Sequence, residues 1–298
     1  MKLRFSLAEA MLVVGVAAWG LNYTFLRYAI QHGVDPLVVQ SLRWVLAGSL
    51  FAGITRRVEG PLRIGRRDLL ALVGISAVGL GATQISNAYA LRLAPASTVA
   101  LVFGLLPVVM AVAAQLFGIE RLRRRHWVGA AVSVAGVCLI AVGRGGSVGG
   151  NLGGILLALS NVVGFGVFSV MLFPYSARVS PLLLNTISVV VSAVVLAVSG
   201  AWQLAGQDWG APSALAWAAV GVSAVVSLVG GNGIWFWAQK RVGPGRTGLY
   251  ANLQPVFGVV FAVILLGETL ASLEIVGGLV VGVGIVLARS RRGPPTVE

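Results

Sequence analysis

Residues 97–118 read STVALVFGLLPVVMAVAAQLFG, and residues 247–267 read TGLYANLQPVFGVVFAVILLG. Neither stretch contains a charged residue, and each carries one proline near its middle, Pro107 or Pro255. About 20 apolar residues in a helix cross the ~30 Å hydrocarbon core of a bilayer. The two stretches therefore predict two membrane-spanning helices. Their matched prolines, 148 residues apart, indicate an internal repeat.

The same spacing relates other positions of the two halves. It pairs Gln84 with Asn232, Glu120 with Glu268, Gly129 with Gly277, and Gly136 with Gly284. Earlier in each half the spacing is 145 residues, where Pro36 matches Pro181 and Gln40 matches Asn185. The two halves therefore share one plan, with a short gap between these two registers.

The composition is that of an all-α integral membrane protein. Of 298 residues, 57% are apolar and 10% are charged, whereas soluble domains carry about 25% charged residues. The 40 glycines suit helices that pack closely in lipid. We predict ten transmembrane helices, at residues 8–30, 36–55, 69–91, 97–118, 126–143, 152–174, 181–204, 213–239, 247–267 and 272–289.

The basic residues predict the orientation of these helices. Eighteen of the 22 lysines and arginines fall on one side of the predicted membrane, while Arg27, Arg92 and Arg144 fall on the other and Arg43 lies inside the second helix. Basic loops stay in the cytoplasm. We therefore expect a multi-pass membrane protein with both termini cytoplasmic.

Two five-helix units follow from this topology. They are residues 1–143 and residues 152–298, the second including a basic C-terminal tail, and a glycine-rich linker at 144–151 joins them. Because five is odd, the second unit enters the membrane from the opposite side. Inverted repeats of this kind are used by secondary transporters for alternating access; gene duplication without alternating access is the alternative.

Other function classes find little support in the sequence. The net charge of +13 belongs to cytoplasmic loops, so we expect no nucleic-acid partner. Cys138, His32 and His126 do not have the spacing of a metal site. No phosphate-binding loop and no catalytic constellation is visible, so we expect no cofactor and no catalytic residues. A membrane-embedded transferase and a channel are the rival classes.

Several motifs resemble those of the EamA family in the drug/metabolite transporter superfamily. They are Trp19-Gly20-Leu21-Asn22-Tyr23, the pair Arg43-Trp44, Pro107 followed by Glu120, and Pro255 followed by Glu268-Thr269-Leu270. In the sixth helix, Gly164-Phe165-Gly166-Val167-Phe168 replaces the family's Trp-Gly. The resemblance implies ten helices as two inverted repeats and a carrier of the bacterial inner (plasma) membrane that exports metabolites. It is greatest to exporters of aromatic and other neutral amino acids; nucleosides, sugars and drug-like solutes are alternatives.

Polar and aromatic residues recur on matched helices of the two halves. Trp19, Asn22 and Tyr23 share one face of the first helix, and Ser76, Thr83, Gln84 and Asn87 are spaced as one polar stripe on the third. The later helices carry Asn161, Phe165, Asn232, Trp235, Tyr250 and Asn252. We expect these side chains to line a cavity for a small neutral or zwitterionic solute. The alternative is hydrogen bonding between helices, worth ~0.6 kcal/mol per pair.

Three further expectations concern individual residues. Pro107 and Pro255 are gate hinges, or else fixed bends. Arg43 binds a substrate carboxylate, or else reaches the membrane interface or pairs locally. Glu120 and Glu268 cap helices or pair with loop arginines. Because no Asp or Glu lies in the middle of a predicted helix, we expect facilitated transport without proton coupling, by a monomer rather than an obligate oligomer.

Overall fold

The protein is described by a computed structural model that covers residues 6–61, 64–119, 124–143, 151–242 and 250–288. Within these ranges it contains helices and no strands. Glu120, residues 144–150 of the predicted linker and the tail from residue 289 lie outside them. The main helices are α1 Leu7–Gln31, α2 Pro36–Val58, α3 Arg66–Leu93, α4 Ala96–Leu116, α5 Arg124–Gly143, α6 Asn151–Leu172, α7 Pro181–Ser199, α8 at 214–242, α9 Gln254–Leu266 and α10 Ser272–Ala288.

Eight of these helices, α1 to α8, are long and apolar enough to cross a membrane. Within the described residues α9 and α10 are apolar but shorter. Large apolar side chains such as Leu116, Val198 and Leu279 are two-thirds exposed or more, as expected for a surface that faces lipid. The prediction of an all-helical membrane protein is confirmed, while the number ten stays a prediction.

Helix starts follow local signals in the sequence. The Ser6 hydroxyl accepts a hydrogen bond from the Glu9 amide, and the Glu9 carboxylate accepts one from the Ser6 amide, so the two form a capping box for α1. Helices α2 and α7 begin at the matched prolines Pro36 and Pro181. Proline suits the first turn because its missing N–H has no partner there in any case.

A tight turn interrupts α4, and a tight turn at the equivalent position precedes α9. In α4 the Leu105 amide donates to the Val102 carbonyl at 3.0 Å; before α9 the Leu253 amide donates to the Tyr250 carbonyl at 2.9 Å. These donors are 148 residues apart. The turn therefore precedes the proline in both cases, and Pro107 and Pro255 lie in the first turn of the helical segment that follows.

Two wide helical turns also occupy equivalent positions. Ala77–Gly81 in α3 and Ser223–Gly231 in α8 form π-helix within otherwise α-helical segments. Adding 148 to the first range gives residues 225–229, inside the second. Such turns are frequent at functional sites, and the residue pattern of neither helix predicts them.

Helices α5 and α10 make the closest backbone contact. A Cβ added at Gly136 would lie 2.7 Å from the Gly277 carbonyl oxygen, and one added at Gly284 would lie 2.6 Å from that of Gly129. Glycine is required because neither backbone has room to move. The order of contacts is reversed between the helices, so α5 and α10 run antiparallel.

Candidate substrate site

Trp19 on α1 lies against α8. Its indole ring and that of Trp235 have centroids 5.0 Å apart at 40°. Gly231, one turn before Trp235, makes the approach possible, because a Cβ there would lie 2.6 Å from Nε1 of Trp19. The structure therefore brings together two indoles that the sequence places 216 residues apart.

A row of aromatic rings runs from α1 across α4 to α6. The Tyr23 ring lies 6.1 Å from Phe103, which lies 5.9 Å from Phe165, which in turn lies 5.9 Å from Phe168. The Tyr23 hydroxyl accepts a 3.2 Å hydrogen bond from the Gln254 amide group at the start of α9. Phe103 was not among the predicted site residues. Its position next to Gly104, shortly before Pro107, was the signal in the sequence that could have indicated it.

Arg43 on α2 is buried, with 1% of its surface exposed. Its Nη1 donates to Oε1 of Gln40 at 2.7 Å and its Nη2 to Oδ1 of Asn22 at 2.6 Å, whereas Nε has no partner. Trp44 also donates to Oε1 of Gln40, at 3.1 Å. In this conformation Arg43 pairs locally, with Gln40 on its own helix and with Asn22 on α1, and its role toward a substrate carboxylate stays a prediction.

Two pairs of amides sit at matching positions in the two halves. Nε2 of Gln40 lies 3.5 Å from Oε1 of Gln84, and Nδ2 of Asn232 lies 3.4 Å from Oδ1 of Asn185. Gln40 and Asn185 were absent from the predicted site. Their shared register in the repeat, as polar residues within apolar helices, was a signal that could have found them.

The other predicted polar residues lie nearby but have different neighbours. Nδ2 of Asn161 donates to the Thr83 carbonyl at 2.9 Å, and Asn87 is buried. Tyr250 packs with Trp235 against a small cluster around Leu12. In this conformation Asn161 therefore joins α6 to α3, the kind of contact between helices that was the alternative to a cavity.

The predicted single stripe on α3 is wrong. Ser76 donates to Ser188 on α7 at 3.2 Å, whereas Thr83 contacts α6 through Asn161 and Gln84 contacts α2 through Gln40. The π turn at Ala77–Gly81 lies between Ser76 and the other two. Because a wide turn holds more residues than an α-helical turn, it rotates the positions that follow onto another face.

Acidic side chains are found at the ends of helices. Glu268 accepts hydrogen bonds from the Ala96 and Ser97 amides, both 2.9 Å, and so caps α4 as expected. Two surface cavities of about 350 and 190 Å³ adjoin Arg178, which lies 3.6 Å from Asp68. They are lined by residues outside the predicted site.

Comparison with known proteins identifies the family. The model of the EamA-like transporter family matches residues 6–142 and again residues 152–290. The chain belongs to the EamA-like transporter family. As a member of this family it is a multi-pass membrane transporter and not an enzyme.

Named relatives agree with this assignment, and a solved structure shares the fold. The "Uncharacterized inner membrane transporter YedA" of Escherichia coli K12 is 28% identical over 262 residues, covering 86% of this chain and 82% of the relative. A "Probable amino-acid metabolite efflux pump" of Salmonella typhimurium is 25% identical, covering 93% and 92%. A solved crystal structure at 22% identity matches with a TM-score of 0.61, covering 94% of this EamA-family chain and 96% of the other. That likeness concerns the fold.

Proposed function

We propose that the protein is a secondary carrier that exports small neutral or zwitterionic metabolites, amino acids including aromatic ones among them, by alternating access. The proposal includes ten transmembrane helices arranged as two inverted five-helix units, residues 1–143 and 152–298. The observation that carries the substrate class is on α1, where Trp19 contacts Trp235 while Asn22, three residues on, contacts Arg43. An apolar surface at Trp19 and a polar, charged surface at Asn22 are therefore separated by only about 5 Å along the axis of α1.

Several observations support the inverted repeat. The family model matches twice, within the two proposed units. The turns before Pro107 and Pro255 share one register, as do the two π turns. Equivalent helices α5 and α10 run antiparallel, as they must when one unit is inverted.

The predicted residues form the proposed substrate site. In the first unit they are Trp19, Asn22, Tyr23, Gln84 and Asn87, and in the second Asn161, Phe165, Asn232, Trp235, Tyr250 and Asn252. Amides and hydroxyls hold polar groups of a solute, and indole and phenyl rings hold its apolar part. Pro107 and Pro255 act as hinges, because the turn before each proline lets the two helix segments change their angle.

The proposed location is the inner membrane, with both termini cytoplasmic. The excess of basic residues on one side supports this orientation, and the relative YedA is named as an inner membrane transporter. In the described residues every Asp and Glu lies in a loop or near a helix end. This supports facilitated transport, driven by the solute gradient without a proton. The proposed transporting unit is a monomer.

Counterflow in proteoliposomes tests the function. Vesicles loaded with unlabelled phenylalanine are expected to accumulate labelled phenylalanine, with saturation and without a pH gradient. Nucleosides and sugars run in parallel as competitors decide between the substrate classes. An absolute need for a pH gradient would refute facilitated transport, and unsaturable ion current would indicate a channel.

Variants of the site complete this test. Trp19→Ala, Asn22→Ala and Asn252→Ala are expected to lower uptake or change substrate preference while reaching the membrane in normal amounts. Gly233→Ala on α8 is the matched control, since a Cβ there meets nothing within 4 Å. Unchanged uptake and preference in all three site variants would contradict the proposed site.

A further inference from the structure

One edge of the Arg43 guanidinium, formed by Nε and Nη2, has a hydrogen-bond partner at only one of its two nitrogens. A guanidinium presents five N–H donors in a fixed planar fork. Nη1 is held by Gln40 on the same helix, and on the opposite edge Nη2 is held by Asn22 while Nε has no partner. The Nε–Nη2 edge carries two parallel N–H bonds, the geometry that a carboxylate accepts with both oxygens.

This cation has no counter-charge among the described residues. Its two partners are neutral amide oxygens. Three of the described carboxylates have partners elsewhere: Glu268 caps α4, Glu274 accepts from Thr98 at 2.7 Å, and Asp68 pairs with Arg178. A buried charge without an opposite charge is costly, and an ionisable group within a membrane helix marks a solute or ion pathway.

The hydrogen-bond network around Arg43 offers a solute's ammonium group no negatively charged partner among the described residues. Its members besides Arg43 are the amides of Asn22, Gln40 and Gln84 and the indole N–H of Trp44. Amide oxygens bind an ammonium through dipoles alone, whereas Arg43 offers a full positive charge to a carboxylate. Recognition at this position is therefore strongly asymmetric between the two ends of an amino acid.

We propose that the carrier selects its cargo by the carboxylate, which binds the Nε–Nη2 edge of Arg43, and that the α-amino group is dispensable. Monocarboxylates with an apolar or aromatic body and no amino group are then carried as well. This inference rests on the proposed function for its central site. It adds a class of singly negative solutes to the zwitterionic class proposed above.

The same geometry links binding to the helices. A carboxylate on both Nε and Nη2 replaces the Asn22 oxygen, which now occupies Nη2 at 2.6 Å. Its release frees α1 from α2 at this point. The aromatic body of the solute then extends toward Trp19 and Trp235, one turn along α1 from Asn22.

A ligand series on the unmodified protein provides the first test. Thermal stabilisation of the purified carrier and inhibition of phenylalanine counterflow are measured with two groups of compounds. 3-Phenylpropionate and N-acetylphenylalanine keep the carboxylate and lack the ammonium; phenylalanine amide and phenethylamine keep the ammonium and lack the carboxylate. The first group is expected to act at least about tenfold more strongly, the scale of a lost charge-assisted hydrogen bond. Equal potency, or the reverse order, would overturn the proposal.

A substitution provides the second test. Arg43→Gln keeps a hydrogen-bonding side chain and removes the charge, and it is expected to reduce the preference for carboxylates to within about twofold. Arg27→Gln is the control and should keep the preference, since Arg27 donates to the Leu91 and Arg92 carbonyls at the end of α3. A preference that persists in Arg43→Gln overturns the proposal. If Arg43→Gln does not fold, the ligand series decides alone.

The two proposals can fail separately. Absence of amino-acid counterflow, with 3-phenylpropionate still bound and transported, would reject the proposed substrate class and keep the role of Arg43. Counterflow of phenylalanine that phenethylamine inhibits as well as 3-phenylpropionate does would keep the carrier and reject the role of Arg43.

Discussion

Nη2 of Arg43 donates a 2.6 Å hydrogen bond to Oδ1 of Asn22, and this bond joins α2 to α1 across the interior of the bundle. Arg43 is fixed on its other side by Gln40, one turn earlier on its own helix. Asn22 is thus the movable partner of a fixed cation. The chemical identity of residue 22 should determine whether that cation is available to a solute.

Asn22→Asp should inactivate the carrier without unfolding it. A carboxylate at position 22 would pair with Arg43 and satisfy its charge from within the protein. We expect phenylalanine counterflow to fall at least about tenfold, the scale of a blocked charge-assisted hydrogen bond, while the melting temperature stays constant or rises. Asn161→Asp is the contrast: it buries a carboxylate against the Thr83 carbonyl and should lower the melting temperature. Normal transport by Asn22→Asp would show that Arg43 does not meet the solute.

Gly231→Ala should weaken binding of aromatic solutes. Its methyl group would lie 2.6 Å from Nε1 and 2.7 Å from Cδ1 of Trp19, so the indole must leave its place beside Trp235. Overpacking of this kind costs about 1–3 kcal/mol, and we expect KM for phenylalanine to rise several-fold. Gly233→Ala, two residues on, provides the control because a Cβ there is unobstructed. Equal KM values for the two variants would contradict a role for the Trp19–Trp235 pair.

Pro255→Ala tests whether the turn before α9 moves. With alanine at 255 the helix can extend backward through Asn252 and Leu253, which now form the turn. A hinge role predicts a several-fold lower maximal rate of counterflow with KM unchanged. Pro107→Ala should behave alike, because a Cβ at Gly104 would lie 3.5 Å from the Pro255 ring, so the two turns adjoin. A normal rate in both variants would instead indicate fixed bends.

Gly136→Ala should destabilise the contact between α5 and α10. The added Cβ would lie 2.7 Å from the Gly277 carbonyl oxygen and from the Val281 amide nitrogen, and neither backbone atom can turn away. We expect a loss of about 1–3 kcal/mol, visible as a lower melting temperature in detergent. Gly282→Ala on α10 meets nothing within 4 Å, and alanine favours a helix more than glycine does, so this control should melt no lower than the unmodified protein. A matching decrease there would show that the contact between Gly136 and Gly277 is not the cause.

Much of the fold could be predicted because its constraints require particular residues. Proline is favoured at a helix start, and glycine is required where two backbones touch, so Pro36, Pro181, Gly136 and Gly277 reveal element positions in the sequence. A π turn has no such requirement: Ala77–Gly81 contains only small and apolar residues that suit any helix. The rotation that it introduces therefore went unpredicted, and with it the separation of Ser76 from Gln84.

It was easier to predict which residues belong to the candidate site than which residues they contact. Trp19 and Asn22 are conspicuous in an apolar helix because lipid disfavours exposed amides. Their partners depend on how helices cross, which the spacing within one helix does not determine. Arg43 illustrates this limit, since only the packed structure shows that Asn22 and Gln40 hold it and that Nε has no partner.

The glycines of α5 and α10 exchange roles: Gly136 meets Gly277, and Gly284, which is equivalent to Gly136, meets Gly129, which is equivalent to Gly277. This is the form of an isologous interface, in which each side offers the same patch that it receives. A helix paired with an inverted copy of itself is enough to form such an interface. Two identical five-helix chains, inserted in opposite directions, would form the same contact as a homodimer. Joining them in one chain fixes the pairing and the ratio of the halves, and it frees Arg43 and Ser188, at equivalent positions, to differ.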